Sequence, residues 1–324
     1  MSFLVTGVGG QLGHDLMGEY GKRGLDAVGT DILSEEDYRN KMASLLGKDP
    51  GFSYVQLDIT DGQAAEKVIS AVKPEAVVHC AAWTAVDAAE DEENKEKVYK
   101  INVTGTENIA KACRALDIPM IYISTDYVFD GKGETPWQPD CREYAPQNYY
   151  GETKLLGEQA VTGNLNKFFI VRIAWVFGKN GNNFIKTMLK LAENHDQLRV
   201  VADQIGTPTY TYDLARLLAD MSLTEKYGYY HATNEGGFIS WYDFACEIFK
   251  QAAELGVPAV SGSGQIPAYE NIGVTPVTTA EYGLSKAARP YNSRLDKSKL
   301  RANGFEPLPD WRDALRRYLL ELTK

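Results

Sequence analysis

Cysteine is scarce and scattered. Cys80, Cys113, Cys141 and Cys246 are spread over 324 residues without a CxxC pair, which removes a thiol-redox motif and a cysteine-based zinc site. Cys80 and Cys113 have apolar or helical neighbours, so buried free thiols in a reducing cytoplasm are expected. Histidine is equally sparse: His14, His79, His195 and His231 are far apart, with no HExxH spacing,. No GxSxG elbow marks a serine hydrolase. No apolar run approaches the roughly 20 residues a membrane span needs. The opening MSFLVTG lacks the basic flank and cleavage site of a secretory signal. The expectation is a cytoplasmic protein with no membrane partner. Basic residues are outnumbered, 34 Lys and Arg against 44 Asp and Glu, for a net charge of −10. A nucleic-acid partner, which needs a broad basic face, is therefore excluded. An anionic small molecule would need a local positive field.

What is present is the composition of a globular protein, 44% hydrophobic and 24% charged, with core enough for one large domain or two smaller ones. Strand candidates fall at 2–6, 25–31, 53–57, 75–80, 119–124 and 168–173. Helical stretches at 11–23, 61–72, 94–117 and 149–161 separate most of them. Apolar strands alternating with helices predict an α/β fold: a Rossmann-type, doubly wound parallel sheet. The charged, unpatterned segment 32–52 reads as a surface insertion. After about residue 175 the pattern loosens, with helices expected near 182–194, 210–223, 240–255 and 309–323. The stretch 256–298 reads as loop and short strand. The expected organisation is a dinucleotide-binding domain over 1–174, rejoined by about 199–233. Residues 175–198 and 234–324 would form a smaller substrate-binding lobe over the carboxyl edge of the sheet.

The turn VTGVGGQLG, residues 5–13, sets Gly7, Gly10 and Gly13 between a strand and a helix. Gln11 and Leu12 open that helix. Small residues there let backbone approach a pyrophosphate, and the helix N-terminus offers free amides and a positive dipole end. The spacing is GxxGxxG, and a glycine run alone also makes ordinary turns. Asp31 closes the second strand, 18 residues after Gly13, where a carboxylate can take a ribose 2′-hydroxyl. A solvated loop aspartate is the plainer alternative. Asp31 would repel a 2′-phosphate, and no basic residue follows before Arg39, so charge alone favours NADH. Asp58 and Ile59 after the third strand, and Ala81, Ala82 and Trp83 after the fourth, are placed along the rest of a dinucleotide.

The fifth strand ends in Ser124, Thr125 and Asp126. In QNYYGETKLLGE, residues 147–158, Tyr150 stands four residues before Lys154, so both share a helix face. Tyr149 is turned about 100° away and reads as packing. A free phenol has a pKa of about 10. One ammonium about 4 Å away, at an effective dielectric of 20, supplies the roughly 4 kcal/mol needed to lower it by ~3 units. That lowering is the expectation, with Thr125 donating to the same carbonyl oxygen. Tyr282 and Lys286 repeat the spacing, but in a Gly/Ser/Pro-rich stretch with no strand before it.

These residues resemble an extended short-chain dehydrogenase/reductase, and within that group the dTDP-4-dehydrorhamnose reductase family. The resemblance runs through HCAAWTAVDAAE (79–90), INVTGTENIA (101–110), STDYVFDG (124–131), YGETKLLGE (150–158), RIAWVFG (172–178), GNNF (181–184), DQIGTPT (203–209) and ARPYNSRLD (288–296). It implies Tyr150 as proton donor, Lys154 as its partner and holder of the nicotinamide ribose, and Thr125 as the third catalytic residue. Thr125, Asp126 and Trp175 would meet the sugar, and Arg289 would offset the substrate diphosphate. The implied reaction is transfer of hydride from NADPH or NADH to C4 of a dTDP-4-keto sugar. Related dehydratases carry Thr-Asp-Glu, whereas Tyr127 here replaces the second acid, which favours reduction over elimination. Some family members dimerise through glutamate-bound Mg²⁺. Asp15 stands at the comparable position and no further ligands can be placed, which argues against a metal link. A monomer or a homodimer is expected. Reductases or epimerases of other nucleotide 4-keto sugars share the fold, as does the non-catalytic β subunit of methionine adenosyltransferase, in which a broken Tyr/Lys/Thr set would be expected.

Overall fold

The computed structural model describes residues 2–46, 51–262 and 265–323. Strands β1 (Ser2–Thr6), β2 (Asp26–Asp31), β3 (Ser53–Gln56), β4 (Ala76–His79), β5 (Met120–Thr125) and β6 (Phe168–Ile173) build one sheet with a seventh strand, Gly228–His231. Every pairing in it is parallel. Its order is 228–231, β6, β5, β4, β1, β2, β3. The chain thus winds outward from β1 to β3, returns to β4 and winds the other way. The reversal between β1 and β4 opens a crevice at the carboxyl ends of the strands.

The longer helices are α1 (Gln11–Lys22), α2 (Glu35–Leu46), α3 (Gly62–Val72), α4 (Glu92–Tyr99), α5 (Thr106–Leu116), α6 (Tyr149–Asn164), α7 (Phe184–Ala192), α8 (Thr211–Ser222), α9 (Trp241–Leu255) and a C-terminal helix, Trp311–Leu322. Successive side chains of a strand point to opposite faces, and here both faces are covered. Phe3 and Val5 join Leu16 and Tyr20 of α1 and Leu214 and Leu218 of α8 in one core. Leu4 faces the other way, with Ile69 of α3, Ile109 of α5 and Val161 of α6. A separate core holds Phe177, Ile185, Leu189, Phe244, Ile248, Trp311 and Leu315.

Two elements differ from the sequence reading. The single helix expected over 94–117 is interrupted by a π-helical turn, Lys100–Gly105, between α4 and α5. Such turns often reposition a functional side chain. Here Asn102 accepts from Trp83 N at 2.8 Å and its amide reaches Thr153 Oγ1 at 3.1 Å. The second difference is α2, a helix within the segment expected as an unpatterned surface insertion. Its core-facing stripe includes Tyr38 and Met42, four residues apart and both fully buried. Tyr38 stacks on Tyr54 of β3 with ring centroids 4.3 Å apart. Residues 47–50 of that expected insertion, and 263–264 of the expected loop, lie outside the described residues.

Candidate active site

The glycine turn after β1 is held by backbone. Gly7 N donates to Thr30 O at 2.8 Å, and Gly10 N donates to Gly7 O at 3.0 Å. Gly7 has φ +72°, the left-handed region, and a Cβ there would lie 2.7 Å from backbone atoms of Ala81,. A Cβ on Gly13 would meet Gly7 O at 2.5 Å. No side chain caps α1, whose N-cap is Gly10. Its first amides remain open to an anion. The turn is therefore shaped for backbone approach to a phosphate group.

Asp31 closes the far side of this cradle. Its Oδ2 accepts from Gly9 N at 2.8 Å and its Oδ1 from Ile32 N at 2.8 Å. A Cβ on Gly9 would stand 2.9 Å from Asp31 Oδ2, so the carboxylate would have to shift to admit one. From the segment before α7, Asn180 Nδ2 donates to Gly10 O at 3.2 Å.

One cavity of about 650 Å³ runs from this cradle to the end of β5. Gly7, Gly10, Gln11, Leu12, Gly13, Asp31, Asp58, Ile59, Ala81 and Ala82 line it, as do Thr125, Asp126, Tyr150, Lys154 and Trp175. Two expected residues are not on its wall. The Trp83 indole turns away, with Lys97 Nζ 5.6 Å from its ring centroid, although its backbone is anchored by Asn102. Arg289 pairs with Asp87, Nη2 to Oδ2 at 2.7 Å. Its Nη1 is buried without a partner. Asp15 accepts from Thr211 Oγ1, and burial first, with Glu321 adding to it, raises its carboxyl to about 7. Among the described residues no three His, Cys, Asp or Glu side chains gather as a metal site.

Asn148 caps α6, its Oδ1 accepting from Gly151 N at 2.8 Å, and so fixes the start of the helix that carries Tyr150 and Lys154. Tyr149 turns to α4 and donates to Lys95 O at 3.2 Å. Lys154 is 3% exposed. Its Nζ sits 4.1 Å from the Tyr122 ring centroid. Burial lowers its ammonium to about 7, against the opposing pull of Glu158.

The Tyr150 phenol goes the opposite way from the expectation. Burial, reinforced by the charge of Asp126, raises it above its ordinary value, and the Thr125 hydroxyl offsets only part. The charge-only reading omitted desolvation, which disfavours the phenolate and the ammonium alike. Thr125 Oγ1 donates to Asp126 Oδ1 at 3.0 Å. Asp126 Oδ2 is buried without a partner, and burial raises that carboxyl to about 6.

Three features went unread in the sequence. Glu158, one turn beyond Lys154, accepts from Ser124 Oγ at 2.6 Å and holds Arg172 bidentately at 2.7 and 2.8 Å. Trp241 of α9 stacks on Trp175 with centroids 3.8 Å apart, and both line the cavity. Trp175 itself has φ +51°, a conformation few bulky residues adopt. Lys41 of α2 also lines the cavity, its Nζ donating to Gly9 O at 3.2 Å. The YxxxK spacing would have reached Glu158 if extended by four. Nothing local points to Trp241. The second Tyr-x-x-x-Lys match is no site, since Lys286 is paired with Asp91.

A glycine cradle, an acid at the end of β2 and a Tyr–Lys pair on α6, the lysine buried and the tyrosine half-buried, define a Rossmann-type enzyme of the short-chain dehydrogenase/reductase class. The RmlD substrate binding domain family matches residues 1–324. A dTDP-4-dehydrorhamnose reductase of Aggregatibacter actinomycetemcomitans is 37% identical over 321 residues, spanning 97% of this chain and 96% of that protein. The crystal structure of a dTDP-4-dehydrorhamnose reductase from Clostridium acetobutylicum superposes with a TM-score of 0.83 at 37% identity, covering 100% of both chains. That of the Bacillus anthracis enzyme, in complex with NADP, has a TM-score of 0.80 at 36% identity over 99% of each chain. The chain belongs to the dTDP-4-dehydrorhamnose reductase family.

Proposed function

We propose that this chain reduces the C4 ketone of dTDP-4-dehydro-6-deoxy-L-mannose to give dTDP-L-rhamnose, using NADPH or NADH. The observation that carries the proposal is the continuity of one cavity from the glycine turn to Thr125, Tyr150 and Lys154. Gly7, Gly10 and Gly13 would hold the pyrophosphate, a Cβ on Gly7 or Gly13 meeting backbone within 2.7 Å. Asp31 would take the adenosine ribose, and Asp58, Ile59, Ala81 and Ala82 would flank the rest. When bound, the reduced nicotinamide supplies hydride to the ketone carbon.

The protein's part is the proton. A phenol held above its ordinary pKa keeps its hydrogen at neutral pH, and an aliphatic alkoxide is a stronger base than a phenolate. Tyr150 Oη therefore gives its proton to the new alkoxide oxygen. Lys154, one turn further along α6 and on the same cavity wall, would be favoured in its charged form by a fresh phenolate, and an amine titrating near 7 could return a proton to that oxygen,. Thr125 Oγ1, rotated from Asp126, donates to the developing oxyanion. Trp175 offers an apolar wall to the sugar. Tyr127 in place of a second acid leaves no group to drive out water, so elimination is disfavoured.

The dinucleotide is assigned to 1–174 with about 199–233, and the sugar to 175–198 and 234–324. Among the described residues no helix is long and apolar enough to cross a membrane, and a cytoplasmic monomer or homodimer is the proposed setting. Mixing the protein with dTDP-4-dehydro-6-deoxy-L-mannose and NADPH or NADH tests the reading. Absorbance of the reduced nicotinamide should fall in step with formation of dTDP-L-rhamnose. Absence of turnover with both cofactors overturns it.

A further inference from the structure

Asp31, taken alone, sets the adenosine end of the cavity against a 2′-phosphate. The structure brings a cation to the same mouth. Helix α2 buries Tyr38 and Met42 on one side, which leaves Lys41 on the solvent side, beside the glycine turn. Its Nζ donates to Gly9 O at 3.2 Å, while Asp31 Oδ2 accepts from Gly9 N at 2.8 Å. Carboxylate and ammonium thus hold the two polar ends of one residue, the glycine at the centre of the cradle. Both side chains line the cavity.

Lys41 has no acidic partner among the described residues; its one hydrogen bond goes to a backbone carbonyl. Arg39, on the same helix, is committed to Glu35 at 2.7 Å. The other cation on the cavity wall is Lys154, which is buried beside Tyr122 and belongs to the catalytic end. A flexible ammonium tied only to a carbonyl can turn to a stronger acceptor at little cost.

We propose that Lys41 is the residue that admits NADPH: its ammonium takes the 2′-phosphate, while Asp31 serves the unsubstituted ribose of NADH. The cavity then accepts both dinucleotides by using opposite charges on opposite sides of Gly9. This rests on the reading that the cavity binds a dinucleotide. A monoester phosphate carries nearly two negative charges at neutral pH, and an exposed contact to it is screened by salt. Preference for the 2′-phosphate should therefore fall as ionic strength rises.

The test is calorimetric titration of the full-length protein with 2′,5′-ADP and with 5′-ADP, with NADPH and NADH alongside. Wild type, Lys41→Ala and Lys41→Arg are compared. Lys41→Ala should lower the ratio of 2′,5′-ADP to 5′-ADP affinity about ten-fold, a change of about 1.4 kcal/mol. Lys41→Arg should retain most of that ratio, and the NADPH/NADH ratio should follow. An unchanged ratio in Lys41→Ala, with wild type binding both probes, overturns the role of Lys41 alone. Failure of wild type to bind any of the four ligands removes the dinucleotide reading as well.

Discussion

Lys154 Nζ stands 4.1 Å from the centre of the Tyr122 ring, and the Tyr122 hydroxyl donates back to Lys154 O at 3.3 Å. The aromatic face gives the ammonium a partial partner, though not enough to offset the loss of water. Burial therefore holds this lysine at about 7. The unfolded chain keeps the proton to about 10.4. Between those values the unfolded state binds more protons, so this group's contribution to stability rises with pH; it is flat below 7. Wild type should gain roughly 2–3 kcal/mol relative to Lys154→Met between pH 7 and pH 9, at 1.36 kcal/mol per unit. Urea unfolding of both proteins at the two pH values measures it. Parallel stabilities would mean the lysine is charged and solvated.

Replacing Tyr150 with Phe deletes one oxygen from a half-buried ring packed edge-on against Tyr127, with centroids 5.8 Å apart. The packing survives and the proton is lost. kcat should fall by about 10²–10⁴-fold, with dinucleotide affinity nearly unchanged. Near-normal turnover by this variant would refute the assignment of the donor.

Asp31→Ala removes the carboxylate while leaving Lys41 in place. NADH should lose more kcat/KM than NADPH, because only the unsubstituted ribose depends on an acceptor there. Equal losses for the two cofactors would take Asp31 out of the ribose site. Gly9 loses a hydrogen bond in this variant, so a common weakening of both is expected beneath the difference.

Glu158 and Arg172 are 1% and 0% exposed and share two hydrogen bonds. Removing one partner strands the other charge in the core. Glu158→Gln should cost about 3–5 kcal/mol, read as a lower urea midpoint at constant slope. Ser124, which donates to the same carboxylate, ties that loss to the end of β5. A cost below about 1 kcal/mol would mean the pair is solvated in solution.

The strands and glycine turn were legible because their signals are local: β-branched runs, then small residues, then a helix within a dozen positions. The Tyr150–Lys154 pair was legible for the same reason. Helix α2 was not, because its charged residues mask a core-facing stripe marked by little more than Tyr38 and Met42. With it went Lys41, and so the charge balance at the ribose end. Trp241 reaches Trp175 only through the packing of α9, which no spacing records. The direction of the Tyr150 shift was not legible, because the spacing of a tyrosine and a lysine does not tell how much water the phenol loses on folding,.

The last strand of the sheet, Gly228–His231, pairs with β6 only after the intervening chain has built α7 and α8. A polypeptide stopped near residue 174 would therefore leave β6 with a naked row of amides and carbonyls, the template on which chains aggregate. During translation that hazard lasts until residue 231 has cleared the ribosome.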